Sequence, residues 1–214
     1  MIYLISDIHG DKNFKGLQDY LRIAKDDDLL IVLGDVSLEF ENTVTNRDFT
    51  EYFLSLKKNI AFLDGNHENF SYLNSFPEEK WNGGKIHRLS EHIVHLQRGN
   101  VYRINGKSIF TFGGCKSSAK WKEAGLWHPE ETASDEECNL AKENLQKANF
   151  SVDYILTHKH ETDPNYHLVD MNLYQLTKFI KDNVSYKKWY FGHSHIKRIV
   201  DEKHTYIYDD LIPI

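Results

Sequence analysis

Met1-Ile2-Tyr3-Leu4-Ile5-Ser6-Asp7-Ile8-His9-Gly10 opens the chain. Ile2 to Ile5 is an apolar run of strand formers, and it breaks off at Ser6-Asp7-Ile8-His9-Gly10. A buried strand therefore delivers a carboxylate and an imidazole to its C-terminal end. Asp7 and His9 stand two apart, so extended backbone would point both to one side. Alone, the pair reads equally well as a polar turn after a strand. The same pattern recurs at Gly34-Asp35, Gly65-Asn66-His67-Glu68, Thr157-His158 and Gly192-His193-Ser194-His195, each closing a strand-like run. Five apolar segments thus end in residues that can bind a metal.

The 214 residues suit one sizeable domain, 1–214, with a real core. Hydrophobic residues make up 40% and charged residues 27%, an ordinary soluble globular mixture. The formal net charge of −6 argues against a general nucleic-acid binder, which would present a basic surface. The two cysteines, Cys115 and Cys138, form no CxxC motif and no disulfide framework, so a reducing cytoplasm is the simpler reading. Asp7 interrupts the first apolar run too early for a signal peptide, and no run approaches membrane-spanning length. No repeat, low-complexity tract or shift of composition marks a domain boundary.

Phe14, Leu17, Leu21 and Ala24 recur at helical spacing and predict a helix over roughly 13–24. Leu29 to Leu33 is continuously apolar, as a strand covered on both faces should be. Phe49, Tyr52, Phe53 and Leu56 mark a second helix, and Ile60 to Leu63 the next strand. This alternation is that of an α/β layer. The middle of the chain differs. Segments 86–89, 93–97, 101–104 and 107–112 are short strand candidates that read as an antiparallel meander, with Asn105-Gly106 a strong hairpin turn. After Gly113-Gly114 comes a long irregular segment, Cys115 to Ala133, holding Lys120, Trp121, Trp127 and His128. Ser134-Asp135-Glu136-Glu137 is a capping box, and Cys138, Ala141, Leu145 and Ala148 mark the buried face of its helix. Val152 to Thr157 is a strand. A polar loop, Lys159 to Val169, leads to a helix marked by Leu173, Leu176, Phe179 and Ile180. Lys188 to Phe191 is the last long strand, and segments 196–200 and 205–208 form a closing hairpin.

Taken in order, Asp7-x-His9, Gly34-Asp35, Gly65-Asn66-His67-Glu68, His158 and Gly192-His193-x-His195 resemble the motif set of the calcineurin-like metallophosphoesterase superfamily. The nearer likeness is to its small bacterial and phage-type members, which similarly carry a Trp-rich loop before the fourth motif. The resemblance implies an α/β fold, a four-layer αββα sandwich of two mixed β-sheets flanked by helices, with the site at the strand ends. It implies two divalent ions, one held by Asp7, His9, Asp35 and His195 and the other by Asp35, Asn66, His158 and His193. Asp35 would bridge, each of its oxygens serving one ion, and His67 would be the catalytic residue that binds no metal. Two dications against the Asp7 and Asp35 carboxylates leave a net positive site that attracts phosphate and stabilises its transition state. Such a pair also makes hydroxide available near neutral pH for in-line attack. Imidazole ligands disfavour magnesium and calcium, which leaves manganese, iron, zinc or cobalt, with manganese favoured.

The implied activity is metal-dependent hydrolysis of a phosphomonoester or phosphodiester. Two alternatives share the motifs: a nuclease, against which the acidic balance weighs, and a non-catalytic scaffold, which would not need the full ligand set. The protein Ser/Thr phosphatases continue the second motif to an Asp that orients the catalytic histidine and an Arg that clamps phosphate. Here Leu38 stands in place of that Asp and the Arg is missing, so a protein phosphatase of that type is not expected. The fourth motif continues as Lys159-His160 where relatives often have proline. His87, His92, His95, His167 and His204 read as surface or packing residues. His160 reads the same way, with a lesser case for supporting the site. His128 has a minority claim on substrate. The two tryptophans of the 115–133 segment suit a self-packed loop at least as well as a substrate wall.

Overall fold

The computed structural model describes residues 1–160 and 169–214. Of the expected polar loop Lys159–Val169, residues 161–168, with Pro164 and His167, lie outside the described residues. The first half runs β1 (Ile2–Ile5), α1 (Lys15–Ile23), β2 (Leu29–Leu33), α2 (Val44–Ser55), β3 (Asn59–Leu63), α3 (Phe70–Leu73), β4 (Glu78–Trp81), β5 (Gly84–Arg88) and β6 (Ile93–Leu96). The second half runs β7 (Asn100–Ile104), β8 (Lys107–Phe112), α4 (Ala119–Glu123), α5 (Asp135–Lys147), β9 (Tyr154–Thr157), α6 (Met171–Asn183), β10 (Lys188–Phe191), β11 (Arg198–Ile199), β12 (His204–Tyr206) and β13 (Ile212–Pro213).

The strands form a seven-stranded sheet, β13-β1-β2-β3-β6-β5-β4, and a six-stranded sheet, β11-β12-β10-β9-β8-β7. Neighbours β1, β2, β3 and β6 are parallel, as are β8, β9, β10 and β12, while the outer pairs are antiparallel. This is the expected αββα sandwich of two mixed sheets. Its middle layer packs Ile2, Leu4, Leu29, Ile31 and Leu33 of one sheet against Ile109, Leu156 and Tyr102 of the other. Leu30 and Val32, on the opposite face of β2, pack with Leu17, Tyr20, Phe49 and Phe53 of the covering helices. Both faces of β2 are dry, which explains its unbroken apolar run. On the far side α5 and α6 set Ala141, Leu145, Leu173, Leu176 and Ile180 against Phe110, Ile155 and Trp189.

The expected meander is not one sheet. β5 pairs with β6 in the first sheet and β7 with β8 in the second. Hairpin chemistry does operate at Asn105-Gly106, both at positive φ. Between β6 and β7, however, Arg98 is buried and pinned to Asp64, and the chain crosses from sheet to sheet. Two helices also differ from expectation at their edges. Phe14 takes an extended ψ of 123° and Ala24 one of 132°, so α1 is shorter than 13–24 at both ends. α2 starts before its apolar marks because Thr43 Oγ1 accepts the Asn46 N–H at 3.2 Å. The Ser134 capping box forms, with the Glu137 N–H at 3.1 Å from Ser134 Oγ and the Glu137 carboxylate at 2.8 Å from the Ser134 N–H. The 115–133 segment is not wholly irregular, since it contains α4 and a 3-10 turn at Pro129–Glu131. Among the described residues no helix is long and apolar enough to cross a membrane.

Candidate metal centre

Strands β1, β2, β3, β9 and β10 run parallel within their sheets, and the loops at their C-terminal ends meet. Asp7 N–H donates to the Gly34 carbonyl at 3.1 Å and His9 N–H to the Asp35 carbonyl at 2.8 Å. Across the sandwich, the His193 N–H donates to both Asp7 carboxylate oxygens, at 3.1 and 3.0 Å. Asp7, His9, Asp35, His193 and His195 all have positive φ, from 49° to 66°. Asp7 and His9 therefore do not share a side through extended backbone, as the sequence led us to expect. Left-handed loop residues turn them inward instead. Gly65 explains itself: a Cβ there would stand 2.0 Å from Asp35 Oδ1.

The side chains form a chain of three overlapping groups: Asp7, His9 and His195; then Asp7, Asp35 and His158; then Cys115, His158 and His193. In the first, His9 Nε2 and His195 Nε2 are 2.9 Å apart, and His195 Nε2 is 3.4 Å from Asp7 Oδ1. Asp35 Oδ2 lies 3.5 Å from His9 Nε2 and 3.6 Å from His158 Nε2. Its other oxygen, Oδ1, accepts the His67 N–H at 2.8 Å. Oδ2 thus faces both His9 and His158, while Oδ1 is held by the His67 N–H. Asn66 Oδ1 is 3.2 Å from His158 Nε2, while its Nδ2 donates to Ser117 Oγ at 2.9 Å, which fixes the amide with oxygen inward.

His158 shows what the group is built for. Its Nδ1 is 2.8 Å from the Leu33 carbonyl, which can only accept, so Nδ1 carries the proton. Nε2 then has only a lone pair, and it faces Asn66 Oδ1 and Asp35 Oδ2. With Asp35 ionised, acceptors converge on one point with no proton between them, an arrangement that a cation relieves. Charge points the same way. Burial and the Asp7 carboxylate push Asp35 well above the usual carboxylate range. Burial also opposes ionisation of Asp7, but hydrogen bonds from His195 and Ser6 help outweigh it and hold Asp7 low. Burial keeps His9 near 4 and His193 near 3, so both imidazoles are neutral donors. Glu68, fully buried, accepts the Val36 and Ser37 N–H groups at 2.8 and 3.1 Å and so braces the loop that carries Asp35.

The family model of the calcineurin-like phosphoesterases matches residues 1–197. The chain belongs to this family. It is a metal-dependent phosphoesterase, and its ligand-type residues cluster as a dinuclear site requires. A search of curated proteins finds no matching relative.

Over the centre of this phosphoesterase opens a cavity of about 480 Å³, lined among others by His9, Asp35, His67, His195, Phe40 and Trp121. The His67 ring packs edge-on to Trp121 at 4.3 Å between centroids and lies 5.1 Å from both Phe40 and His9. Among the described residues no carboxylate pairs with that ring. The two tryptophans divide the two roles weighed for them. Trp121 walls the cavity, whereas Trp127 turns into its own loop and donates from Nε1 to Glu131 at 2.9 Å. His128 sits 6.0 Å from the Phe70 ring and does not line the cavity. His160 stacks on Phe191 at 4.7 Å, beside Trp189, as packing. Cys115 was missed: its thiol is 3.1 Å from Asn66 Oδ1 and 3.4 Å from His193 Nδ1. The sequence did mark it, because Gly113-Gly114-Cys115 closes β8, a sixth apolar strand ending beside the site.

Proposed function

We propose that this chain, acting as one domain, hydrolyses a small or medium phosphomonoester or phosphodiester. One ion would be held by Asp7, His9, Asp35 and His195, the other by Asp35, Asn66, His158 and His193. Manganese, iron, zinc and cobalt all suit such donors. The observation that carries this reading is Asp35 Oδ2, poised between His9 Nε2 at 3.5 Å and His158 Nε2 at 3.6 Å on the floor of an open cavity. When bound, the two ions supply charge stabilisation for the phosphoryl group and a nucleophile from water near neutral pH.

The chain's own residues do the rest. Leu33 fixes the His158 tautomer, and Glu68 fixes the Asp35 loop. Phe40 and Trp121 exclude water from one side of His67. A ring nitrogen of His67 then holds or passes the proton that the leaving oxygen needs. Chelation should abolish hydrolysis of a model ester panel, and metal should restore it. Asp35→Asn should lose more metal by elemental analysis than Asn66→Ala, because it weakens both positions. Full activity after verified metal removal would end this reading.

A further inference from the structure

The Cys115 thiol has no part in the ligand set that the family motifs supply, yet it lies among those ligands. Its Sγ is fully buried, 3.1 Å from Asn66 Oδ1 and 3.4 Å from His193 Nδ1. The donor atoms of Cys115, His158 and His193 all fall within 4.8 Å of one another. The backbone leaves little freedom there. Gly114 N–H is bonded to the Asp64 carbonyl at 2.9 Å, and a Cβ on Gly113 would meet that same carbonyl at 2.4 Å. Asp64 is itself clamped by buried Arg98. A rigid, Gly-Gly-lined approach thus delivers sulfur to the side of the centre occupied by Asn66, His158 and His193. Asn66 Oδ1 accepts the S–H while facing the lone pair of His158 Nε2 at 3.2 Å. A cation placed among these atoms would draw in both the amide oxygen and the sulfur.

We propose that Cys115 is a further donor to the ion shared by Asn66, His158 and His193, and that it biases this position toward a thiophilic metal. The proposal rests on the dinuclear reading above. On binding, the S–H bond breaks heterolytically, the proton passes to solvent, and the sulfur lone pair forms the bond to the metal; nothing is oxidised or reduced. Thiolate favours zinc, iron and cobalt over manganese. The manganese preference expected from the sequence would therefore fail at this position while the Asp7, His9 and His195 side stays free of sulfur.

Cobalt(II) reports sulfur directly. The metal-free full chain is loaded with cobalt, the bound ions are counted by elemental analysis, and the near-ultraviolet spectrum is recorded. A sulfur-to-cobalt charge-transfer band is expected in the parent and in Cys138→Ala, whose thiol faces the Asn172 carbonyl at 3.7 Å away from the centre. The band should vanish in Cys115→Ser and Cys115→Ala. Zinc-against-manganese competition should show the zinc preference falling about ten-fold or more in Cys115→Ala. Two bound cobalt ions without the band in the parent would overturn sulfur ligation and leave the dinuclear reading standing. Failure to bind cobalt at all would overturn both. If the Cys115 variants fail to fold, the parent and Cys138→Ala spectra still decide the matter.

Discussion

The His67 ring meets Trp121, Phe40 and His9, with no carboxylate paired to it among the described residues, and burial with the neighbouring imidazoles holds it near 3. The Asp7 charge favours the protonated form too weakly to offset burial, so bound phosphate must supply the charge that does. A general acid matters most for a basic leaving group. His67→Ala should keep its metal and lose roughly 10²–10⁴-fold in rate on an alkyl ester, but clearly less on a nitrophenyl ester. Equal losses with metal intact would leave His67 only an electrostatic role. Most site residues could be read from the chain because each ends an apolar run, where an unpaired polar group would otherwise be costly. The way they converge could not. Asp7 and His9 reach inward through left-handed dihedrals that no glycine or asparagine announces. Cys115 was harder to see for another reason: it ends its apolar run alone, and a single cysteine looks like any other small buried residue.

Helix α4 is the element that builds one wall of the cavity. Trp121 projects from it against His67, while none of its residues is buried and none belongs to the ligand groups. Trp121→Ala should therefore reorder relative rates across an ester panel and leave metal content unchanged; unaltered rate ratios would count against the wall. Strands β5 and β6 carry a second polar element. His87 and His95 stand opposite in register, 3.2 Å apart through Nδ1, with Gln97 on one side and Asp64 on the other. One assignment satisfies all four groups: Gln97 donates to His87, His87 to His95 and His95 to Asp64, with both rings neutral. Burial, then His95, lowers the His87 value below 6.5. The unfolded chain therefore takes up this proton first as pH falls, and stability drops from about pH 6.5 downward until the folded ring also protonates. His87→Gln should flatten that part of the unfolding-temperature profile; an unchanged profile would place the loss elsewhere. These elements were unequally legible. β2 matches its expected bounds because burial on both sides makes a strand unbroken in sequence, and β10 matches although it alternates half-buried and buried residues. β4 alternates exposed and half-buried residues and β13 spans two residues, so neither offers an apolar run to find.

At the scale of the whole molecule, the first sheet contributes Asp7, His9, Asp35 and Asn66 and the second His158, His193 and His195. The proposed ligand set therefore spans the sandwich, and metal held by it would bind only when the sheets are packed. Saturating zinc or manganese should raise folding stability by about 2.7 kcal/mol at a free concentration roughly a hundred-fold above Kd. An unfolding temperature indifferent to metal would contradict a site shared between the sheets. The left-handed backbone at Asp7, His9, Asp35, His193 and His195 has a consequence for descent. Each of these residues sits where glycine would cost less, by on the order of 1–2 kcal/mol. Metal-free His9→Gly should accordingly outlast His9→Ala on heating, the reverse of the order found in helices; the opposite ranking would mean that the loop relaxes. In a lineage released from selection for catalysis, drift would be drawn first to these positions. Ligands would be erased while the sandwich persisted, so decay of the enzyme would begin at its centre and spare its frame.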